Sequence, residues 1–415
     1  MMASLGLVAL IGLLLALRQS IILILLALTA YIQLVWGGGT LVYLVDDMWS
    51  AMDSYALLAI PVFIMAGGIM SRGTTAARLV DVIRALTDWL PGGLGVAAVL
   101  SCAVFASVSG SSSATLLAVG AVMLPALRDS GYADRFSLGA LTASGTLGIL
   151  IPPSIPLIVY AIVTNVSVVE MFRAALLPGL FVTVVFAVYS LWCNRNLPRG
   201  AFQLTRLLEA LKRGIWALML PVILLGGIYS GYFSATEAAA VAVGYATLVE
   251  LFITRELRLR DLRDIASETA IMLGTLYPII AVALSIKTLL AIQGVPQDIS
   301  DWIVATVSHP LAFLLLMNAV LLIVGCFLDV ISATLLLAPL LVVAGQAFGI
   351  DPVLLGVIIV LNLEIGLLTP PIGLNLLVAS AAFRETFVAV LRSVMPFCLL
   401  MLGCLLVVSV MAVYG

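Results

Sequence analysis

Residues 142–160 read TASGTLGILIPPSIPLIVY. Two adjacent prolines, Pro152 and Pro153, interrupt an otherwise membrane-grade apolar run, with Gly145 and Gly148 just upstream. Two backbone donors are missing there, and Pro152 is pushed out of the α region by the ring that follows it. The expected object is a helix broken at membrane depth. Non-helical backbone survives at that depth only when it is packed in protein or lines a polar cavity.

A lone proline would read as a kink, but this pattern occurs twice. Residues 362–377 read NLEIGLLTPPIGLNLL, and Gly366 to Pro371 matches Gly148 to Pro153. Upstream, Ser332-Ala333-Thr334-Leu335-Leu336 repeats Ser113-Ala114-Thr115-Leu116-Leu117 at almost the same offset. Paired Gly/Pro-interrupted apolar segments in corresponding halves of a chain point to a transporter binding site.

Composition sets the same class. The 415 residues are 63% hydrophobic and 10% charged, with mean hydropathy +1.26, whereas soluble domains carry about 25% charge. This is an all-α polytopic membrane protein, and the lipid bilayer is its solvent. A net charge of −2 gives no reason to expect nucleic acid. The five cysteines lie in apolar runs without paired spacing and read as small hydrophobes. No charged leader with a cleavage site accompanies the apolar start, so it reads as membrane segment rather than signal peptide.

Along the chain, residues 1–53 read as an N-terminal membrane segment, with one or two crossings around Arg18, followed by an outer loop bearing Asp46, Asp47 and Asp53. A first repeat is expected over 54–194. It contains an amphipathic interfacial helix at 71–91, a re-entrant hairpin at about 94–127 with Ser109-Gly110-Ser111-Ser112-Ser113 at its tip, and the broken helix at about 136–164. A basic cytoplasmic linker, 195–213, leads to a second repeat over 214–415. Its hairpin spans about 311–347, with Gly325 and Asp329 at the tip, and its broken helix about 352–382. If each hairpin returns to its own side and each broken helix crosses once, one face receives every Lys and Arg except Arg18, Arg173 and Lys287. By the positive-inside rule that face is cytoplasmic. The hairpins then enter from opposite sides, which is an inverted-topology repeat.

Oxygen-rich breaks of this kind suit sodium, a hard cation served by carbonyls and hydroxyls. One ion site is expected from Ser109, Gly110, Ser111, Ser112 and Ser113 with Gly145, Gly148 and Pro152; small residues packing the hairpin arms closely would give the same composition. A second combines Gly325, Asp329, Thr334, Glu364, Gly366 and Thr369. Asp329 is an ionisable group in an apolar hairpin, costly unless functional, and Glu364 alternatively serves as a structural hydrogen-bond partner. The substrate is expected between the tips and breaks, against Ser154, Ile155, Thr369 and Asn375, where half-helix N-termini favour anions. No arginine occupies either tip, so dipoles and sodium would balance an anion. Glu237, in SATEAAA, reads as a helix cap. Lys287 would snorkel or pair with a carboxylate, and His309 reads as a surface residue.

GTLGILIPPSIP, SGSSSAT, SATEAAAVAV at 234–243 and GIDPVLLGVIIVLNLEIGLLTPPIGLNL at 349–376 resemble the large membrane subunit of the tripartite ATP-independent periplasmic (TRAP) transporters. ALLAIPVFIMAGGIM at 56–70 and LPGGLG at 90–95 fit the same pattern. The resemblance implies a sodium-driven importer of a small carboxylate or sulfonate in a bacterial or archaeal inner membrane. It implies an elevator-type mobile domain built from the hairpins and broken helices, and no cofactor beyond the coupling ions. It also implies two partners, a small four-helix membrane subunit and a soluble periplasmic substrate-binding protein. Against it stand a stand-alone sodium- or proton-coupled anion transporter of related architecture and, remotely, an intramembrane hydrolase, which the single histidine and the absence of HExxH disfavour.

Overall fold

The computed structural model describes residues 2–17, 19–38 and 40–414. Arg18, singled out above, lies outside them. Among the described residues there is no strand, and eight helices are long and apolar enough to cross a membrane, or nine if the bent pair at 295–325 counts as one span.

α1 (Met2–Ala16) and α2 (Ile21–Val35) form an antiparallel pair in which Gly6 lies under the Tyr31 ring. At 15 residues each, they reach only about 22 Å, short of a ~30 Å hydrocarbon core. The expected outer loop is instead α3 (Val42–Met52). A 3-10 turn leads to α4 (Ala59–Arg72), then α5 (Thr75–Thr87). α5 is amphipathic, but its Leu79, Val80 and Ile83 are buried. They belong to a helix that packs on two neighbours, α6 (Gly93–Ser109) and α11 (Leu204–Tyr229).

α6 and α7 (Ser112–Asp129) make the first hairpin. Gly110 turns it at φ +58°, a left-handed conformation that glycine adopts without a Cβ penalty. α8 (Asp134–Leu150) stops where Pro152 removes the next donor, and α9 (Ile155–Thr164) resumes after the break. Every residue from Ser137 to Ala161 is buried, so this broken helix is the axis of the molecule. α10 (Val168–Cys193) is capped by Ser167. α11 (Leu204–Tyr229) takes in half of the expected linker, since 204–213 are its first turns. α12 (Ala235–Leu248) opens on the capping box between Ser234 and Glu237, so Glu237 is a helix cap.

α13 (Leu259–Ile292) is 34 residues long, about 51 Å. α14 (Val295–Thr306) precedes the second hairpin, α15 (Pro310–Gly325) and α16 (Val330–Ala347). α17 (Pro352–Gly366) and α18 (Leu374–Phe383) are the second broken helix, and α19 (Phe387–Tyr414) closes the chain. Both breaks contain a cis peptide bond, Pro152-Pro153 and Pro370-Pro371.

Polar contacts join the two hairpin-and-break units to each other and brace the second one internally. Tyr160 of α9 donates to Pro352 O at 2.6 Å. Asn362 of α17 donates to Asn318 O and Oδ1, and Asn318 donates to Ser409 Oγ at 3.0 Å, linking α15, α17 and α19. The basic stretches meet one another. Arg206 bonds Asp88 at 2.6 Å, Arg78 pairs with Glu256 at 3.7 Å, and Arg128 bonds both Asp134 and Glu385 at 2.6 Å. Arg135 reaches Arg392 O at 3.3 Å, and Gly95 N donates to Tyr132 Oη at 3.3 Å. Exposed pairs such as these contribute little energy, but they place all five basic stretches at one end.

Candidate functional site

The two hairpin tips and the two breaks converge. A cavity of about 200 Å3 is lined by Gly110, Ser111, Ser112 and Ser113 of tip one and by Asp329, Val330 and Ile331 of tip two. The breaks contribute Ile149, Ile155 and Pro156 from one side and Leu367, Leu374 and Asn375 from the other. Met272 of α13 completes the wall. Asp329 is the ionisable side chain among these residues, and none is basic.

Tip one is built for close approach. Ser109 Oγ lies 2.7 Å from Thr115 Oγ1 and bonds Ser111 O at 3.3 Å, while Thr115 Oγ1 bonds Ser111 O at 2.9 Å. A Cβ on Gly148 would stand 2.5 Å from Ser111 O and 2.7 Å from Thr115 Oγ1, so only glycine lets the tip seat on α8. Gly110 faces the break, where its Cβ would lie 3.0 Å from Pro153 O. Two hydroxyls and two carbonyls thus gather where the tip meets the break. Gly145 has a different job: it packs against Leu116 and presents nothing to the cavity. Pro152 is buried within the break. Asn375, from the other half of the chain, donates to Ser112 Oγ and so latches α18 onto tip one.

Tip two follows the same plan with different chemistry. Gly366 is seated on Gly325: a Cβ there would fall 2.6 Å from the Gly325 backbone. Asp329 caps α16, accepting from Ile331 N and Ser332 N at 3.0 Å, and is half-buried on the cavity wall. Thr334, the counterpart of Thr115, is fully buried with an unpartnered Oγ1. Glu364 is fully buried on α17, with the Thr146 hydroxyl of α8 as its side-chain neighbour.

The sequence-derived set is therefore only partly assembled at the cavity. Ile155 and Asn375 line it; Ser154 and Thr369 do not. Ser154 is buried behind Ile155 with an unpartnered Oγ, and Thr369 spends its hydroxyl on Ile365 O at 2.8 Å, within its own turn. Glu364 also stays off the wall, in the packing between α17 and α8. One participant at the tip was missed, and one structural acid away from it. Thr115 was already paired with Thr334 by the repeat, which was the available signal. Glu250 is a lone acid in an apolar span, fully buried and accepting from Thr75 and Thr254. It sits against Gly73, where a Cβ would meet its carboxyl group, and it fixes the corner between α4 and α5.

A larger cavity, about 610 Å3, joins this centre to the basic end. It runs between α7 and α13, shares Ser111, Ile155 and Met272 with the central cavity, and is lined at its far end by the ion-paired Arg72 and Glu268.

Paired hairpins and paired broken helices closing on one cavity inside a polytopic bundle define a membrane transporter, not an enzyme. The chain belongs to the family described as "Tripartite ATP-independent periplasmic transporter, DctM component", whose model matches residues 7–413. It is 41% identical over 365 residues to the C4-dicarboxylate TRAP transporter large permease protein DctM of Pseudomonas aeruginosa, covering 87% of this chain and 86% of that one. It is 34% identical over 374 residues to the ectoine TRAP transporter large permease protein TeaC of Halomonas elongata, covering 89% and 88%. In fold it is similar to the Alcanivorax borkumensis YdaH transporter, with TM-score 0.63 at 15% identity, covering 92% of this chain and 90% of that one.

Proposed function

We propose that the protein is the transport subunit of a sodium-coupled, binding-protein-dependent system that imports a small organic anion, a carboxylate or sulfonate, across an inner membrane. The observation that carries the reading is the central cavity, walled by both tips and both breaks, with Asp329 as its ionisable group and no basic residue. An anion held there needs a cation beside it. Sodium is proposed at tip one on Ser109 Oγ, Thr115 Oγ1, Ser111 O and the carbonyls around Gly148 and Pro153. At tip two it is proposed near Asp329, Gly325, Gly366 and the unpartnered Thr334 hydroxyl. Glu364, Gly145 and Thr369 act in packing behind these sites.

With the basic end taken as cytoplasmic, the 610 Å3 cavity is the inward route, and this conformation is open to the cytoplasm. The moving unit is the block of two hairpins and two broken helices, sliding elevator-fashion past the long α13. The small membrane subunit and the periplasmic binding protein are proposed from family membership. The relatives' names differ in substrate, which agrees with specificity being set largely outside this chain.

The test is co-reconstitution with both partners and a panel of labelled carboxylates and sulfonates. Concentrative uptake is expected under an inward sodium gradient and is lost when potassium replaces sodium. Full uptake driven by a proton gradient alone would overturn the sodium assignment.

A further inference from the structure

A third cavity lies on the other half of α13, between that helix and the second arm of hairpin two. Its volume is about 240 Å3, and it shares no lining residue with the central cavity. Its walls are mostly apolar: Ile286 and Leu290 of α13, Leu335 and Pro339 of α16, Val163 of α9. Into it is set Lys287, half-buried, with no ion pair among the described residues and no carboxylate on the cavity wall. Lys287 lies five residues before the end of α13, about 8 Å along the axis, at the end away from the basic stretches.

The corresponding inner cavity makes the contrast. It too lies between α13 and the second arm of a hairpin, but its cation, Arg72, is neutralised by Glu268. A half-desolvated ammonium among apolar walls is costly unless something of opposite charge shares the space. Amide and hydroxyl groups of Asn165, Gln297, Gln346 and Ser332 line the same cavity, and each can donate to a carboxylate or sulfonate oxygen. The cavity holds a net positive charge, polar donors and space well beyond the ~30 Å3 share of one water.

We infer that Lys287 makes this outer cavity a binding site for a small organic anion, a way-station the substrate occupies before it reaches the hairpin tips. The inference rests on the organic-anion reading above, and the test is chosen to be independent of sodium coupling. It uses the full-length protein with Cys193, the exposed native cysteine, changed to serine and Gln346→Cys placed on the cavity wall. Rates of disulfide formation at position 346 are measured with an anionic and a cationic methanethiosulfonate of similar size. The anionic reagent is expected to be favoured by roughly tenfold when its charge passes within about 7 Å of an ammonium. In Lys287→Met that preference should fall at least about threefold, while Lys287→Arg keeps it. Succinate, against sodium chloride of equal ionic strength, should slow the anionic reagent in the Lys and Arg forms and not in the Met form. An unchanged rate ratio in Lys287→Met, or protection by succinate that persists in it, overturns the proposal. Neither readout moves if the coupling ion is not sodium.

Discussion

Replacing Gly366 by alanine places a methyl carbon 2.6 Å from the Cα and C of Gly325 and 2.7 Å from its O. Those atoms are backbone, so no rotamer change relieves the clash. Restoring ordinary contact at 3.4 Å requires a displacement of about 0.8 Å between tip two and break two. Overpacking of this kind costs about 1–3 kcal/mol, which is roughly 5- to 150-fold in the population of the seated tip. The helix-propensity gain of Gly→Ala, up to about 1 kcal/mol, stabilises α17 itself and not the contact. If the seated tip is the sodium-binding form, the sodium concentration for half-maximal uptake should rise by the same factor. Sodium titration of uptake in proteoliposomes reads it directly. Gly325→Ala is the internal comparison: its Cβ would lie 3.2 Å from Gly366 Cα, a misfit of a few tenths of an ångström, so its effect should be much smaller. Gly226→Ala, with nothing within 4 Å, should be silent. Sodium dependence in Gly366→Ala within twofold of the parent, at normal membrane insertion, would refute the idea that this glycine contact builds the ion site.

Asp329→Asn keeps a good helix cap on α16 but removes the charge, so insertion and assembly should be normal while sodium affinity and uptake fall. Asp329→Ala also loses the cap, about 1 kcal/mol, and should lower thermal stability as well; sodium affinity in Asp329→Asn equal to the parent would make the residue structural. Thr115→Val removes the hydroxyl shared with Ser109 and Ser111 O, and is expected to weaken sodium dependence more than Ser113→Ala, whose hydroxyl lacks those contacts. Cysteines at Arg199 and Arg258 should label from the cytoplasm and one at Asp47 from the outside; labelling of positions 199 and 258 from opposite faces would break the proposed orientation.

Much of this architecture was legible because it is written in backbone-breaking residues. Pro152, Pro153, Pro370 and Pro371 leave a helix no way to continue, and the repeated Ser-Ala-Thr upstream fixes the hairpins relative to them. What did not show was partnership across sequence distance. Nothing local distinguishes Thr369, whose hydroxyl turns back on its own helix, from a residue facing the cavity. Nothing near Asn375 announces that it bonds Ser112 in the other half of the chain. The amphipathic run at 75–87 shows which face is apolar but not what covers it, and its packing on α11, more than a hundred residues further on, has no local signal. The loop-like polarity of Asp46 and Asp47 concealed α3, because two adjacent acids in eleven residues look like solvent when the neighbouring α13 is unknown.

The charge inventory of the central cavity constrains how substrate and ion can be coupled. An anion entering a cavity whose ionisable residue is Asp329 meets a like charge before it meets any basic side chain. At about 6 Å and an effective dielectric near 20, two like charges repel by roughly 3 kcal/mol, a factor of more than a hundred in affinity. A sodium ion bound at tip two, as proposed, would cancel that repulsion with no rearrangement of protein side chains. Helix N-termini at α7, α9, α16 and α18 add favourable but individually weaker terms, each about 0.3–1 kcal/mol when partly exposed. Dipoles of that size at best offset the carboxylate, whereas a single bound sodium would neutralise it and leave them a net attraction for the anion. The same arithmetic runs in reverse, since linkage requires the anion to raise sodium affinity by the factor that sodium raises the anion's. A cavity with an arginine in place of that arrangement would bind the anion in the absence of sodium and carry it down its own gradient. Under the sodium coupling proposed above, the missing basic residue is what would make uptake concentrative.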